Sequence, residues 1–198
     1  MKADDPRYDI AAWIGIALLA VAAIFTAWRG EWFGTFLIIG FLLAAAAFVA
    51  FDTRLPSLFN FLFVTAAIVN AAGWVWRFYV TIAGYDEAVH FYTTFAVTLS
   101  AGYLAYDAVR EHFRDHRAHF VLVISSFGLS LGALWEIFEW VILPSLNNPV
   151  EDLVMDSFGA VLAGLVAAWA LGADSVEAAG GDQMAKKSKT VSNPIGDA

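Results

Sequence analysis

Residues 32–51 read WFGTFLIIGFLLAAAAFVAF, a run of 20 residues without a charged side chain. About 20 apolar residues suffice to cross the hydrocarbon core of a bilayer as an α-helix, in which every backbone polar group is hydrogen-bonded within the segment. The rest of the chain has the same character: 60% of its 198 residues are hydrophobic, 15% are charged, and the mean hydropathy is +0.66. This composition indicates an integral membrane protein, for which the lipid bilayer is the surrounding medium.

Five further apolar stretches accompany this run, with short polar connections between them. We therefore predict an all-α, polytopic membrane helical bundle of about six transmembrane helices, in one domain covering residues 1–172. The predicted spans are 10–28, 32–51, 57–83, 86–109, 119–143 and 152–171. Arg77 interrupts the third span, which could instead end near Trp76. Residues 173–198 are polar and poor in bulky side chains, which predicts a disordered cytoplasmic tail.

Three function classes are disfavoured by composition. The chain has no cysteine, which excludes structural disulfides, thiolate metal sites and cysteine nucleophiles. A net charge of −8 argues against nucleic acid as a partner. The first apolar stretch is not followed by a small-residue cleavage pattern, so we expect it to be retained as a span and not removed as a signal peptide.

The positions of the basic residues predict the orientation, because Lys and Arg are enriched on the cytoplasmic side. Nine of the eleven basic residues fall in the two terminal segments and in the connections after the second and fourth spans. The opposite connections hold only Arg29 and Arg77. We therefore expect a multi-pass protein of the bacterial inner membrane with both termini in the cytoplasm.

Ionisable residues lie at the ends of the last three spans. They are Asp86, Glu87, His90, Glu136, Glu139, Asp152 and Asp156. A charged side chain near the bilayer centre costs about 2.5–3.5 kcal/mol, so such groups persist where they are paired, bind a metal or serve a function. With the predicted orientation, all seven lie within about 11 Å of the outer helix ends. This convergence of three segments predicts a site at the outer face.

Helical spacing places neighbouring members of this set on common helix faces. Asp86 and His90 are separated by four positions, Glu136 and Glu139 by three, and Asp152 and Asp156 by four. The Glu87-x-x-His90 spacing also matches the Glu-x-x-His unit of di-iron carboxylate bundles, but those proteins carry two such units and this chain has one.

Six carboxylates and one imidazole cannot all stay charged and unpaired where the dielectric constant is low. The first solution is a divalent cation of open identity, since oxygen ligands with one nitrogen suit Zn²⁺, Mn²⁺ or Fe²⁺, and Mg²⁺ or Ca²⁺ with fewer nitrogens. The predicted ligands are His90, Glu136, Glu139 and Asp156. The predicted supporting residues are Asp86, Glu87, Asp152 and Arg77. The second solution is a proton relay among protonated acids, and the third is a structural network in which Arg77 neutralises a carboxylate.

Small residues on the last two spans predict their close contact. Gly128-x-x-x-Gly132 lies on the fifth span, and Ala160-x-x-Ala163-Gly164 lies on the sixth. Such small faces let helix backbones approach closely in a membrane. Packing of these faces would press the glutamate pair toward the aspartate pair.

At these residues the chain resembles the YjdF-like family of bacterial inner-membrane proteins. The shared pattern is Asp86…His90-Phe91, then Glu136-Ile-Phe-Glu139-Trp140, then Asp152-x-x-x-Asp156…Gly159-Ala160. The order is more distantly similar to the VanZ-like membrane proteins, which are linked to glycopeptide-antibiotic resistance. The chain departs from the pattern by lacking a longer polar segment before the last aspartates. The resemblance covers residues 84–165 and implies a shared site without naming a substrate.

Three functions stay open on this basis. In a metal-dependent membrane enzyme, Glu136 and Glu139 would be catalytic, and a lipid or envelope precursor would be the substrate. In a proton- or ion-coupled transport module the acids would titrate instead, although the inner halves of the spans hold few polar groups. In an accessory subunit, the acidic face would bind a protein partner, whose identity the sequence does not indicate.

Overall fold

The computed structural model describes residues 5–51, 55–113, 116–142 and 149–191, and it confirms the all-α class for these ranges. The described helices are α1 (Pro6–Trp28), α2 (Trp32–Phe51), α3 (Ser57–Val75), α4 (Phe78–Thr81), α5 (Tyr85–Phe113), α6 (Arg117–Ile142) and α7 (Pro149–Val191). Asp5 caps α1, accepting a 3.0 Å hydrogen bond from the backbone of Arg7. Pro149 begins α7, a position where its missing N–H costs no helical hydrogen bond.

Five of these helices are long and apolar enough to cross a membrane: α1, α2, α3, α6 and the first part of α7, as far as Ala170. Their large apolar side chains are widely exposed on the outside of the bundle, as Ile24, Leu122 and Trp169 illustrate. An apolar surface of this extent is unfavourable in water and favourable in lipid. The protein is therefore a multi-pass membrane protein.

The predicted fourth span, 86–109, is not among those five helices, although α5 covers it and is long enough to cross. Its 29 residues rise about 43 Å. Polar side chains such as Thr94, Thr98 and Ser100 on α5 are buried against protein. Because α5 packs against α3, α6 and α7, it carries polar groups that a helix facing lipid on most sides could not. Shielding by its neighbours thus explains why its composition departs from that of the other spans.

The described helices form two groups that meet at one pair. The first group is α1, α2 and α3, the second is α5, α6 and α7, and α3 packs against α5 to join them. The predicted small faces of the second group are confirmed. A Cβ on Gly128 would lie 2.9 Å from the Cβ of Ala160, and one on Gly164 would lie 2.6 Å from Ser125 Oγ. Glycine therefore permits the close α6–α7 approach that positions the acids.

Of the two ends predicted for the third span, residue 83 is wrong and the end near Trp76 is confirmed. Helix α3 stops at Val75, because Arg77 adopts a left-handed conformation with φ 58° that an α-helix cannot continue. The short helix α4 follows, and the chain then turns at Gly84, whose φ of 77° is readily adopted only by glycine. This turn starts α5 at Tyr85, so that Asp86 falls in its first turn.

The last span, predicted to end at residue 171, agrees with the apolar part of α7, which ends at Ala170. The helix itself continues to Val191, so the prediction of disorder from residue 173 is wrong for residues 173–191. Residues 171–191 contain Ala, Glu, Gln, Met and Lys, which favour helix, and the next proline is Pro194. The last part of the predicted disordered tail, residues 192–198, lies outside the described residues. So do Lys2, Arg54 and Arg114, on which the predicted orientation partly rests.

Candidate metal-binding site

His90, in the second turn of α5, lies at the centre of the ionisable cluster and is only 7% exposed. Its Nε2 is 3.7 Å from Asp86 Oδ1, one turn earlier on the same helix. Its Nδ1 is 3.5 Å from Glu136 Oε1 on α6 and 3.4 Å from Asp156 Oδ1 on α7. The imidazole thus contacts acids from three helices, and each ring nitrogen faces at least one carboxylate.

These separations are longer than ordinary N–H···O hydrogen bonds, which measure about 2.7–3.2 Å. Two ligand atoms that each lie about 2.1 Å from one tetrahedral cation are roughly 3.4 Å apart. The separations of 3.5 and 3.4 Å between His90 Nδ1 and the carboxylates of Glu136 and Asp156 therefore suit groups that share a cation.

Two overlapping triads have ligand atoms that all lie within 4.8 Å of one another. One triad is Asp86, His90 and Asp152, and the other is His90, Glu136 and Glu139. Both contain His90, and each combines residues from two helices. The structure thus brings together the imidazole and four of the six predicted acids with the spacing of a cation site. Each triad offers one nitrogen and two carboxylates, which suits Zn²⁺, Mn²⁺ or Fe²⁺.

Glu136 is the least satisfied polar group of the site. It is 3% exposed, and neither of its carboxylate oxygens has a hydrogen-bond partner among the described residues. Asp156, 1% exposed, likewise has one unpartnered oxygen, Oδ2. An unpaired buried charge costs several kcal/mol. A positive charge supplied at this point would remove that cost.

Asp156 is held in place from two sides. The Thr94 hydroxyl donates a 2.5 Å hydrogen bond to Asp156 Oδ1. On α6, Gly132 provides the space for the carboxylate, because a Cβ at that position would collide with the Asp156 side chain. Neither metal triad includes Asp156. Its Oδ1, held by Thr94, faces His90 Nδ1, the same ring nitrogen that Glu136 faces, whereas Asp86 faces the other nitrogen, Nε2.

Two predicted supporting residues lie apart from this cluster. Glu87 is half-buried and belongs to neither triad. The acid of α5 that faces His90 is Asp86, four positions before it, and not Glu87, three positions before it. Arg77 is exposed, and within the described ranges it forms no ion pair with an acid. Among the side chains that the structure describes, the one ion pair made by a Lys or Arg joins Arg29 to Glu31, at 2.8 Å. None of these Lys or Arg side chains neutralises the cluster, in which His90 is the one basic group.

Sequence reasoning missed Thr94, which lies four residues after His90 and so on the same face of α5. That spacing was visible, but threonine is common in helices and nothing local connects it to Asp156, 62 residues later. Sequence reasoning also missed a cavity of about 180 Å³ beside the cluster. His90 and Asp156 line one part of it, and Asn70, Thr93 and Thr98 line others.

Replacing Thr94 by valine, which keeps the side-chain shape and removes the hydroxyl, is expected to weaken cation binding about 10–100-fold, the cost of losing an orienting partner. Isothermal titration of the purified, metal-stripped protein with Zn²⁺ and Mn²⁺ measures the change. Thr81→Val is a suitable control, because the hydroxyl of Thr81 is exposed and bonds only its own short helix, at the carbonyl of Arg77. Equal affinities in the two variants would show that Asp156 needs no support from Thr94.

The fold and the cluster together define a class: a polytopic α-helical membrane protein with a buried acid–histidine cluster near one end of its bundle. The chain belongs to the family described as "Predicted membrane protein (DUF2238)", whose pattern it matches over residues 9–173. The match includes the first two spans, for which the sequence motifs alone showed no resemblance. No curated protein and no solved structure matches the chain.

Proposed function

We propose that this protein binds a divalent cation through His90, Glu136 and Glu139 and is a metal-dependent enzyme of the membrane. The observation that carries the proposal is Glu136, buried with both oxygens unpartnered and 3.5 Å from His90 Nδ1. A carboxylate in this setting needs a cation beside it. The surroundings are otherwise acidic, and no described Lys or Arg supplies the charge.

The remaining acids have separate roles in this proposal. Asp86 faces the ring nitrogen of His90 that does not face Glu136, Nε2, and orients the imidazole, whereas Asp156, fixed by Thr94, lies beside Nδ1 as a further ligand. Asp86 and Asp152 form the second triad with His90 and lie in the first turns of α5 and α7, where the positive end of the helix dipole stabilises a carboxylate. They give the site an acidic rim that draws cations from solution.

The bound cation supplies Lewis-acid chemistry, polarising a phosphoryl or carbonyl oxygen of the substrate. Glu139 is half-buried, whereas Glu136 is buried, so Glu139 is the more accessible of the two for a substrate or water. A carboxylate beside the reacting atoms serves as the general base that removes a proton from a nucleophilic water. His90, buried and held by acids on both sides, keeps the ligand set in place.

The location of the site favours a lipid or a lipid-linked envelope precursor as substrate. The acids lie within about 11 Å of the ends of α5, α6 and α7. This is the depth at which lipid headgroups join their chains. The proposal includes the resemblance to the VanZ-like proteins. Their pattern has Asp, His, Glu and Asp in the same order along the chain as the residues that form this site.

A lipid-turnover experiment tests the enzymatic part of the proposal. Purified protein is reconstituted in liposomes of total bacterial lipid extract, incubated with Zn²⁺, Mn²⁺ or Mg²⁺, and the lipids are compared by mass spectrometry. The expected result is a lipid species whose amount changes with wild-type protein, but not with chelator or with Glu139→Gln. A lipid profile that is identical in all of these samples, with metal bound to the wild type, would contradict an enzymatic role on lipids.

The orientation predicted from the basic residues places the site at the outer face of the inner membrane. Alkaline phosphatase, which is active only outside the cytoplasm, is therefore expected to be active when fused after Gly30, between α1 and α2. It should be inactive when fused after Val191. Green fluorescent protein at the same two positions should give the opposite pattern. Active phosphatase at Val191 would place the acidic cluster on the cytoplasmic face.

A further inference from the structure

The cavity of about 180 Å³ lies where the two helix groups diverge. Its walls come from α2, α3, α5, α6 and α7. The backbone of α2 packs against those of α1 and α3 and does not closely approach those of α5 and α6. A cleft lined by side chains therefore lies between α2 and α6, with α3 and α5 as its floor. Across it, the rings of Phe41 and Trp135 approach to a centroid distance of 6.2 Å.

The cleft lies at the level of the lipid acyl chains in the bilayer. Phe41 lies nine residues from the start of α2, or about 14 Å along the helix. Gly128, at the deep end, lies 14 residues before the end of α6, or about 21 Å. The hydrocarbon core is about 30 Å thick, so both positions are well inside it. An opening between α2 and α6 therefore faces the bilayer interior and not water.

The lining changes character along the cavity. At the upper end are His90 and Asp156 of the ionisable cluster. Away from them, the apolar side chains of Phe41, Val97 and Leu131 contribute most. The Thr93 and Thr94 hydroxyls are already engaged, Thr93 by the Asn70 amide at 2.9 Å and Thr94 by Asp156. A ligand in this cavity would thus meet polar groups at one end and mainly apolar groups over the rest.

One lining hydroxyl has no partner. Thr98 is fully buried, and its Oγ1 forms no hydrogen bond among the described residues. It lies two turns below His90 on α5. A Cβ at Gly128 would collide with this Oγ1, so the hydroxyl faces α6 at the deep end of the cavity.

We infer that this cleft is a lateral entrance from the bilayer, which admits one acyl chain of a membrane lipid while the lipid's headgroup reaches the His90 site. The Phe41–Trp135 pair stands at the entrance. The volume of 180 Å³ equals about six water-sized groups, so it holds a segment of one chain and not a whole lipid. The headgroup part of the inference rests on the proposed function, whereas the chain-binding part rests on the cleft alone.

Photolabelling tests the inference. Wild-type protein is reconstituted in liposomes of phosphatidylethanolamine and phosphatidylglycerol that contain a phospholipid with a diazirine midway along one ester-linked acyl chain. After irradiation, labelled residues are mapped by peptide mass spectrometry. The expected result is labelling at Val97 and Leu131 that exceeds labelling at the exposed, lipid-facing residues Ile24 and Leu122. Labelling confined to the lipid-facing residues would overturn the inference.

Matched variants make the test specific. Val97→Phe fills the cavity and is expected to reduce cleft labelling to the lipid-facing level, whereas Val123→Phe, the same change on the exposed surface of α6, should leave it unchanged. The metal content of the wild type and of both variants is measured as well, and the variants should keep their metal because neither position is a proposed ligand. In the wild type, metal bound without cleft labelling would refute only the lateral entrance. Cleft labelling without bound metal would refute the proposed function and keep the entrance.

A second measurement does not require the Val97→Phe variant to fold. The chain lacks cysteine, so Val97→Cys carries a single thiol. In sealed liposomes, a membrane-impermeant maleimide is expected not to react with it, because the thiolate that reacts is disfavoured in apolar surroundings, whereas the same thiol should react after the protein is unfolded. Reaction with the impermeant reagent would show a water-filled crevice in place of a lipid cleft, and would overturn the inference.

Discussion

Glu136→Gln is expected to lower the affinity for a divalent cation by at least about 100-fold, because losing even an orienting partner costs about 10–100-fold and Glu136 is proposed as a direct ligand. The same change is expected to raise the melting temperature of the metal-free protein. In the absence of metal, Glu136 is a buried carboxylate without a hydrogen-bond partner, and an amide of the same shape is less costly to bury. The distinctive expectation is that Glu136→Gln lowers the cation affinity and raises the melting temperature of the metal-free protein.

Titration calorimetry of stripped protein gives the affinity, and fluorescence-detected thermal unfolding in detergent gives the melting temperature. Glu151→Gln is the matched control, since Glu151 is an exposed acid in the first turn of α7 and belongs to neither triad. Both quantities should stay unchanged in the control. A Glu136→Gln protein that binds metal as the wild type does, or that melts earlier when stripped, would remove Glu136 from the ligand set.

Gly159→Ala is expected to destabilise the bundle by about 1–3 kcal/mol or more, the usual cost of overpacking a close contact. A Cβ at Gly159 would collide with the backbone carbonyl oxygen of Phe91 and would lie 3.1 Å from the backbone N of Phe95. Backbone atoms of α5 cannot rotate away as a side chain can, so α5 and α7 would have to separate. These two helices form the most extensively packed pair in the described structure.

The melting temperature in detergent measures this effect, and a fall of about 2–4 °C for each kcal/mol is expected for a chain of this length. Cation affinity should fall too, because Phe91 follows His90 and the helices that move carry His90 and Asp156. Gly40→Ala is the control: the same substitution in a helix, at an exposed position of α2 where a Cβ would meet no atom within 4 Å. A similar loss of stability in both variants would mean that the α5–α7 contact has no special role.

Hydropathy and length predict the apolar spans well, because the requirement that lipid places on a helix is local in sequence. The same reasoning cannot judge α5, whose polar residues are tolerated only because α3, α6 and α7 surround it. The charge of Arg77 within an apolar run indicated that α3 could end near Trp76, but its left-handed conformation could not be predicted, because no turn signal marks this non-glycine residue. The helical extension of α7 to Val191 was missed because polar composition was given more weight than helix propensity.

The sequence predicts which residues form the site better than it predicts how their side chains are arranged. Helical spacing and alternating topology suffice to bring Asp86, His90, Glu136 and Asp152 to one end of the bundle. Side-chain packing determines which carboxylate faces which ring nitrogen. Because of this packing, Asp156 belongs to neither triad and accepts a hydrogen bond from Thr94. The cleft between α2 and α6 follows from helix packing, on which spacing within one helix gives no information.

The most direct test is the metal content of detergent-purified protein, measured by inductively coupled plasma mass spectrometry. Wild type is compared with His90→Ala and with His119→Ala, in which the lost imidazole is exposed and lies at the start of α6, outside both triads. A cation shared by His90, Glu136 and Glu139 predicts near-stoichiometric Zn²⁺, Mn²⁺ or Fe²⁺ in the wild type and in His119→Ala, and its loss from folded His90→Ala. Wild-type protein that stays metal-free after reconstitution with each of these ions and with Mg²⁺ would contradict the proposal, and would leave protons or a protein partner to balance the buried acids.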